Sequence, residues 1–139
     1  MPELKDLSNS DGPSHFKVFE NRDGRKVGID LNEVRCFYPD EDEQGKLTTV
    51  FMNHHDIDVI SLAITSDDLK AMFNKAVLEF ECHEQEEGCS LVYVPADNIG
   101  PMIETEDNTM LYLKNRITSD TYFYVLDTPD QILQKLANC

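Results

Sequence analysis

The sequence predicts an α+β fold: two tandem antiparallel ββββα repeats related by a pseudo-twofold. Three observations predict it. Short stretches of alternating apolar and polar residues recur along the chain, separated by Gly-, Pro-, Asn- and Asp-rich breaks. Two Thr-led segments, Thr65-Ser66-Asp67-Asp68 and Thr128-Pro129-Asp130-Gln131, carry helix-start chemistry. The order of these signals then runs twice.

Residues 1–14 are rich in Ser, Asp, Gly and Pro without apolar periodicity and read as a flexible arm. Phe16-Lys17-Val18-Phe19 begins the first strand, and Asn21-Arg22-Asp23-Gly24-Arg25 is a hairpin signal because Asp-Gly accepts positive φ cheaply. Val27 and Ile29 alternate with polar neighbours in the next strand, Asn32-Glu33 breaks it, and Val34-Arg35-Cys36-Phe37-Tyr38 follows. Pro39 to Gly45 is a loop. Leu47 to Met52 and Ile57 to Ile64 are the remaining strands of this half. Thr65 then caps a helix whose first turn carries Asp67 and Asp68 at the positive end of the dipole; Leu69, Met72, Phe73 and Ala76 give it one apolar stripe.

The pattern restarts at Val77. Leu78, Phe80 and Cys82 alternate, Glu84-Gln85-Glu86-Glu87-Gly88 turns the chain, and Leu91 to Val94 returns. Pro95-Ala96-Asp97-Asn98 is a break, Ile99 to Ile103 a strand weakened by Gly100-Pro101, and 104–108 an acidic loop. Thr109 to Leu113 and Thr121 to Leu126 precede the last helix, where Thr128 is the cap, Pro129 the first helical residue and Gln131 the partner in a capping box. Ile132, Leu133 and Leu136 form its apolar face. The units are thus 15–76 and 77–139, packed as one compact domain or as two tightly docked ones.

The halves align with few identities but a common order. Ile29-Asp30-Leu31-Asn32-Glu33-Val34 lies against Val94-Pro95-Ala96-Asp97-Asn98-Ile99, Thr49-Val50-Phe51 against Thr109-Met110-Leu111, and Thr65 against Thr128. The string Val94-x-x-Asp97-x-Ile99, an acidic loop, Thr109-Met110-Leu111-Tyr112-Leu113 and Val125-x-x-Thr128-Pro129-Asp130-x-Ile132 resembles the FlbD/SwrD-type flagellar small proteins and similar short bacterial proteins. The resemblance spans most of 90–137 and, more faintly, 27–76. It implies a small β-meander ending in a helix, without enzymatic activity. The duplication, the charge and the insertion at 115–120 depart from that family.

Composition narrows the function. The 139 residues carry 12 Lys+Arg against 27 Asp+Glu, a net charge of −15, which repels nucleic acid and anionic lipid and favours basic partners. Recurring Phe, Tyr, Val and Ile argue against disorder. The N-terminus lacks signal-peptide character and no apolar run reaches membrane-span length, so a cytoplasmic protein with Cys36, Cys82, Cys89 and Cys139 as free thiols is expected. Cys82, His83 and Cys89, and His54-His55, lack the paired spacing of a structural zinc site, and the Asp40-Glu41-Asp42-Glu43-Gln44-Gly45 run lacks the calcium-loop pattern. Neither a nucleophile elbow nor a phosphate-binding Gly-rich turn is present, so no catalytic residue, metal or cofactor is expected.

Acidic segments remain: 40–43, 81–87 and 104–107. Hairpin tips tolerate charge without function. The sharper reading is that Asp40, Glu41, Asp42, Glu43, Glu104, Glu106 and Asp107 sit at related points on one surface and engage a basic protein, as an inhibitor or immunity-type protein does. Exposed edge strands add homodimerisation to the expected interactions. A second reading is a small-ligand or nucleotide-binding protein with a pocket between the repeats, using Arg22, Arg25, Lys26, Lys114 and Arg116.

Overall fold

The computed structural model describes residues 15–40, 46–53, 57, 59–86, 89–114 and 121–138; the arm at 1–14 lies outside them. The described residues form strands β1 (Phe16–Glu20), β2 (Lys26–Asp30), β3 (Val34–Pro39), β4 (Thr48–Met52), β5 (Val59–Leu62), helix α1 (Ser66–Ala71), β6 (Val77–Glu86), β7 (Cys89–Pro95), β8 (Ile99–Glu104), β9 (Thr109–Leu113), β10 (Thr121–Val125) and helix α2 (Pro129–Ala137). Short 3-10 turns, Leu31–Glu33 and Ala96–Asn98, join β2 to β3 and β7 to β8. The fold is therefore α+β and antiparallel, with five strands rather than four before each helix. None of its helices is long and apolar enough to cross a membrane among the described residues.

Local chemistry explains the connections. Gly24 turns β1 into β2 at φ 81°, while Asn21 Oδ1 accepts from the amides of Asp23 (2.9 Å) and Arg25 (3.0 Å). Thr65 Oγ1 accepts from Asp68 N at the start of α1, and Thr128 and Gln131 form the expected capping box on α2. The Gly100-Pro101 weakness is a bulge, since the β8–β9 register shifts between Ile99 and Met102. Glycine is required there because a Cβ on Gly100 would lie 2.8 Å from Tyr112 O.

Eight strands form one sheet in the order β5-β4-β3-β7-β6-β10-β9-β8, with the β1–β2 hairpin beside β5 through the Asn21–Leu62 bridge and Ala63 N donating to Glu20 O (2.7 Å). The second half has the matching contact, Cys82 opposite Val125 with Leu126 N donating to Glu81 O (2.9 Å). Val34, Phe37 and Pro39 face Met52, Val50 and Thr48, just as Ile99, Met102 and Glu104 face Leu113, Leu111 and Thr109. Buried Thr48 donates to Ile64 O (2.7 Å) and buried Thr109 to Asp127 O (2.6 Å), each tying the second strand of its meander to the segment before the helix.

Strand order runs the same way in both halves, whereas a plain twofold across the junction would reverse it. Corresponding strands β3 and β8 point in opposite directions because all neighbours are antiparallel. The cores also lie on opposite faces: Phe37, which faces Tyr93 across the junction, belongs to the first core, and neighbouring Cys36 to the second. Strand order, strand direction and covered face thus follow a half-turn about a line crossing the strands with a shift along it, a screw, and not the plain twofold expected from the sequence.

Each core uses residues from both halves. Phe19, Ile29, Val50, Leu62 and Leu69 are closed over by Val77 and Tyr93, while Phe80, Val94, Leu111, Val125 and Ile132 are joined by Cys36, with Tyr38 and Phe51 packed at the margin. At the junction the Phe37 ring stacks on Tyr93 (centroids 5.1 Å apart) and on Phe73 (5.6 Å), and Tyr93 donates its hydroxyl proton to Asp67 Oδ1 of α1 (2.7 Å). Asn98 Nδ2 adds donation to the Val34 (2.8 Å) and Arg35 (3.1 Å) carbonyls. Phe37→Ala should cost about 3–5 kcal/mol, the usual loss for a fully buried ring, and Tyr93→Phe about 1–2 kcal/mol. Urea titration followed by tyrosine fluorescence and by far-UV circular dichroism should give one coincident transition; separate transitions for the two halves would contradict the shared core.

Candidate protein-interaction surface

Of the acidic residues expected to act together, the structure describes Asp40, Glu104, Glu106 and Asp107. Asp40 is half-buried, and its amide donates to Leu47 O (2.9 Å) as the chain leaves β3; Glu41, Asp42 and Glu43 lie outside the described residues. Glu104 ends β8, and Glu106 and Asp107 occupy the following turn, all three exposed. Thr105 holds that turn closed, its amide donating to Asn108 O (2.8 Å) and its hydroxyl to Asn108 Oδ1 (2.6 Å). Because β3 and β8 run in opposite directions, the chain leaves them at opposite ends of the strand array. The first of the two expected tips, Glu41 to Glu43, lies outside the described residues, so the expectation of one surface carrying both rests on Asp40 alone for that tip.

Charge pairing separates the acids into two groups. Glu79, Asp97 and Asp127 face Lys70 (2.5 Å), Lys75 (3.3 Å) and Lys135 (2.8 Å), and so serve the fold. Lys135 also donates to Glu79 O (2.7 Å) and lies over the Phe80 ring, 4.6 Å from its centroid, docking α2 on β6. Glu104, Glu106 and Asp107 have no ion-pair partner among the described residues.

Arg22, Arg25 and Lys26 are exposed at the β1–β2 turn, Lys114 is exposed after β9, and Arg116 lies outside the described residues. The junction itself is filled by the Phe37, Tyr93 and Phe73 rings. Buried Arg35 serves the structure, its Nε donating to Asn53 Oδ1 (3.0 Å) and its Nη2 to Met52 O (3.3 Å). No group of His, Cys, Asp and Glu suited to a metal occurs among the described residues. His54 and His55 lie outside them, as do the side chains of His83 and Cys89.

Sequence reasoning missed an apolar component of the surface. Phe16 (61% exposed) and Val18 (70%) project from the outer face of β1, and Ile103 (53%) from β8, beside Glu104. Both strands adjoin an end of the strand array, β1 next to the terminal β2 and β8 terminal itself. The alternation in Phe16-Lys17-Val18-Phe19 was the available signal: with three apolar residues among four, both faces of that strand cannot be polar.

Cys36 and Cys82 are free thiols. Burial pushes the Cys36 thiol up to about 12, against a smaller opposing effect of Arg35, so it stays protonated and unreactive. Tyr93 is also raised, by burial first and then by its bond to Asp67. For both groups the folded value exceeds the unfolded one, so their contribution is fully present below the unfolded value and is lost as pH rises. Stability should decline from about pH 9 toward about 12 as the unfolded thiol ionises and the buried one does not. Urea midpoints measured across that range should show the decline, and Cys36→Ala should flatten its first part. Unchanged midpoints in the parent chain would contradict the burial of these groups.

No family model, curated protein or solved structure matches the chain.

Proposed function

We propose that this chain is a non-enzymatic protein-binding protein that engages a basic protein surface through the β8 edge and the β8–β9 turn. The observation that carries the reading is the placement of Glu104, Glu106 and Asp107, exposed and unpaired among the described residues, next to exposed Ile103. Charge beside an apolar patch is what a recognition surface needs: the carboxylates steer a cationic partner and the apolar group holds it. The net charge of −15 supports the same choice of partner and works against nucleic acid. Inhibition of a basic target, as by an immunity-type protein, is one biological use of such a surface.

The recurrence of five-strand-plus-helix pairing supports an origin by duplication within the gene. The two free thiols fit a reducing cytoplasm.

The test is capture of partners by the immobilised chain, with identification by mass spectrometry. A captured basic protein should weaken with rising salt, and Glu104→Lys/Glu106→Lys/Asp107→Lys should reduce its affinity by about 10-fold or more at low salt. Asp130→Lys, an exposed reversal on α2, should leave binding close to parental. Binding that survives the triple reversal unchanged would remove these residues from the site.

A further inference from the structure

The β3–β7 junction is a template for what the outer edges can bind. β3 and β8 hold corresponding places in their halves, since Phe37 faces Val50 as Met102 faces Leu111. β2 and β7 correspond likewise, since Gly28 faces Val18 as Tyr93 faces Glu79. Inside the chain, the outer edge of β3 is occupied by β7, with Phe37 opposite Tyr93. The corresponding outer edges, of β8 and β2, have no strand partner among the described residues. One chain therefore ends in the two complementary halves of a junction it already makes internally.

The side chains at these ends fit one another. Continuing the β3–β7 register, Met102 falls opposite Gly28 and Glu104 opposite Lys26. The internal equivalents of that last pair are Pro39 and Leu91, both uncharged. At the outer edges the same two places carry opposite charges, both exposed. Beyond them, Glu106 and Asp107 approach the Arg22-Asp23-Gly24-Arg25 turn. The apolar residues fit too. Val77, Leu91 and Tyr93 on the outer face of β6–β7 cover the first core, and Phe16 and Val18 occupy the corresponding face of β1–β2. Gly28 replaces Tyr93 with open space, no atom lying within 4 Å of a Cβ built there, while Val18 directly across the hairpin replaces Glu79, moving the bulk from one strand to its neighbour. Ile103 stands where Tyr38 covers the second core.

We propose that the basic surface recognised by β8 is the β1–β2 hairpin of a second copy of this chain, docked antiparallel in the β3–β7 register with Glu104 beside Lys26 of that copy. This rests on the functional reading above and names its partner; because each copy carries −15 overall, the local pairing of Glu104 with Lys26 acts against a general repulsion between copies. The contact is heterologous, and the two halves of one chain are related by a screw, which carries each added copy onward rather than back to the first. Assembly is thus head to tail, with mass growing beyond a dimer. Pro101 withholds one N–H from the β8 edge, so the contact draws on side chains more than on a long ladder, as the β3–β7 pairing does with its single register pair.

Sedimentation velocity of the full chain over a concentration series tests this. The parent should gain mass with concentration. Glu104→Lys and Lys26→Glu should each shift the association to at least several-fold higher concentration, and mixing the two variants should restore it, because each junction in the mixture again joins opposite charges. Circular dichroism of each variant checks that it folds. A parent that stays monomeric throughout, or association that ignores both reversals or is not restored by mixing, overturns the proposal. The two readings fail separately: a monomeric chain that still binds another basic protein through Glu104, Glu106 and Asp107 keeps the function and loses the self-partner, whereas partner capture that ignores reversal of those acids loses the functional reading.

Discussion

The structure depends on a strand that has no outside. In β3, Phe37 and Cys36 are both fully buried although neighbouring side chains in a strand point to opposite faces. One closes the first core and the other the second. Such burial requires cover on both sides, which α1 and β7 supply toward Phe37, and the strands and helix of the second half toward Cys36. Every other feature of the junction follows from that demand, including the stacked rings, the Tyr93–Asp67 hydrogen bond that reaches from a strand of one half to the helix of the other, and the buried Asn98 that caps carbonyls of β3.

Much of the element list was legible because its causes are local. Asp23-Gly24, Thr65 with its following acids, and the Thr128-Pro129-x-Gln131 cap act within a few residues, and the structure uses each as the sequence suggests. Element ends were less legible. α1 stops at Ala71 rather than continuing to Ala76, since Met72 and Phe73 close the helix with hydrogen bonds to Leu69 and Lys70 and free Phe73 to stack on Phe37. β6 continues to Glu86, beyond the expected Cys82. At α1 a tertiary partner sets the limit, and at β6 the pairing of Glu86 with Cys89 of β7 does.

Strand neighbours could not be read from periodicity at all. Alternation assigns Phe37 and Cys36 to opposite faces but does not say that both faces are covered, nor that β3 rather than β2 meets β7. For the same reason the candidate site was only partly legible. The acidic residues at 104, 106 and 107 are exposed as their turn composition suggests. Where β3 and β8 end depends on strand direction, which reverses between them. The value of Lys26 and Glu104 as a pair emerges only when two non-adjacent strands are compared with a third and fourth that do touch.

The doubly covered strand also bears on how such a chain can change through descent. Substitutions in an ordinary two-domain protein are judged by the domain that carries them, but changes in β3 are judged by two interiors, at Phe37 by the first and at Cys36 by the second. Such a strand tolerates few alternatives, whereas β8 at the edge of the sheet contributes Ile99 and Met102 to one interior alone. A wall shared by two interiors thus constrains the middle of the sheet more tightly than its ends.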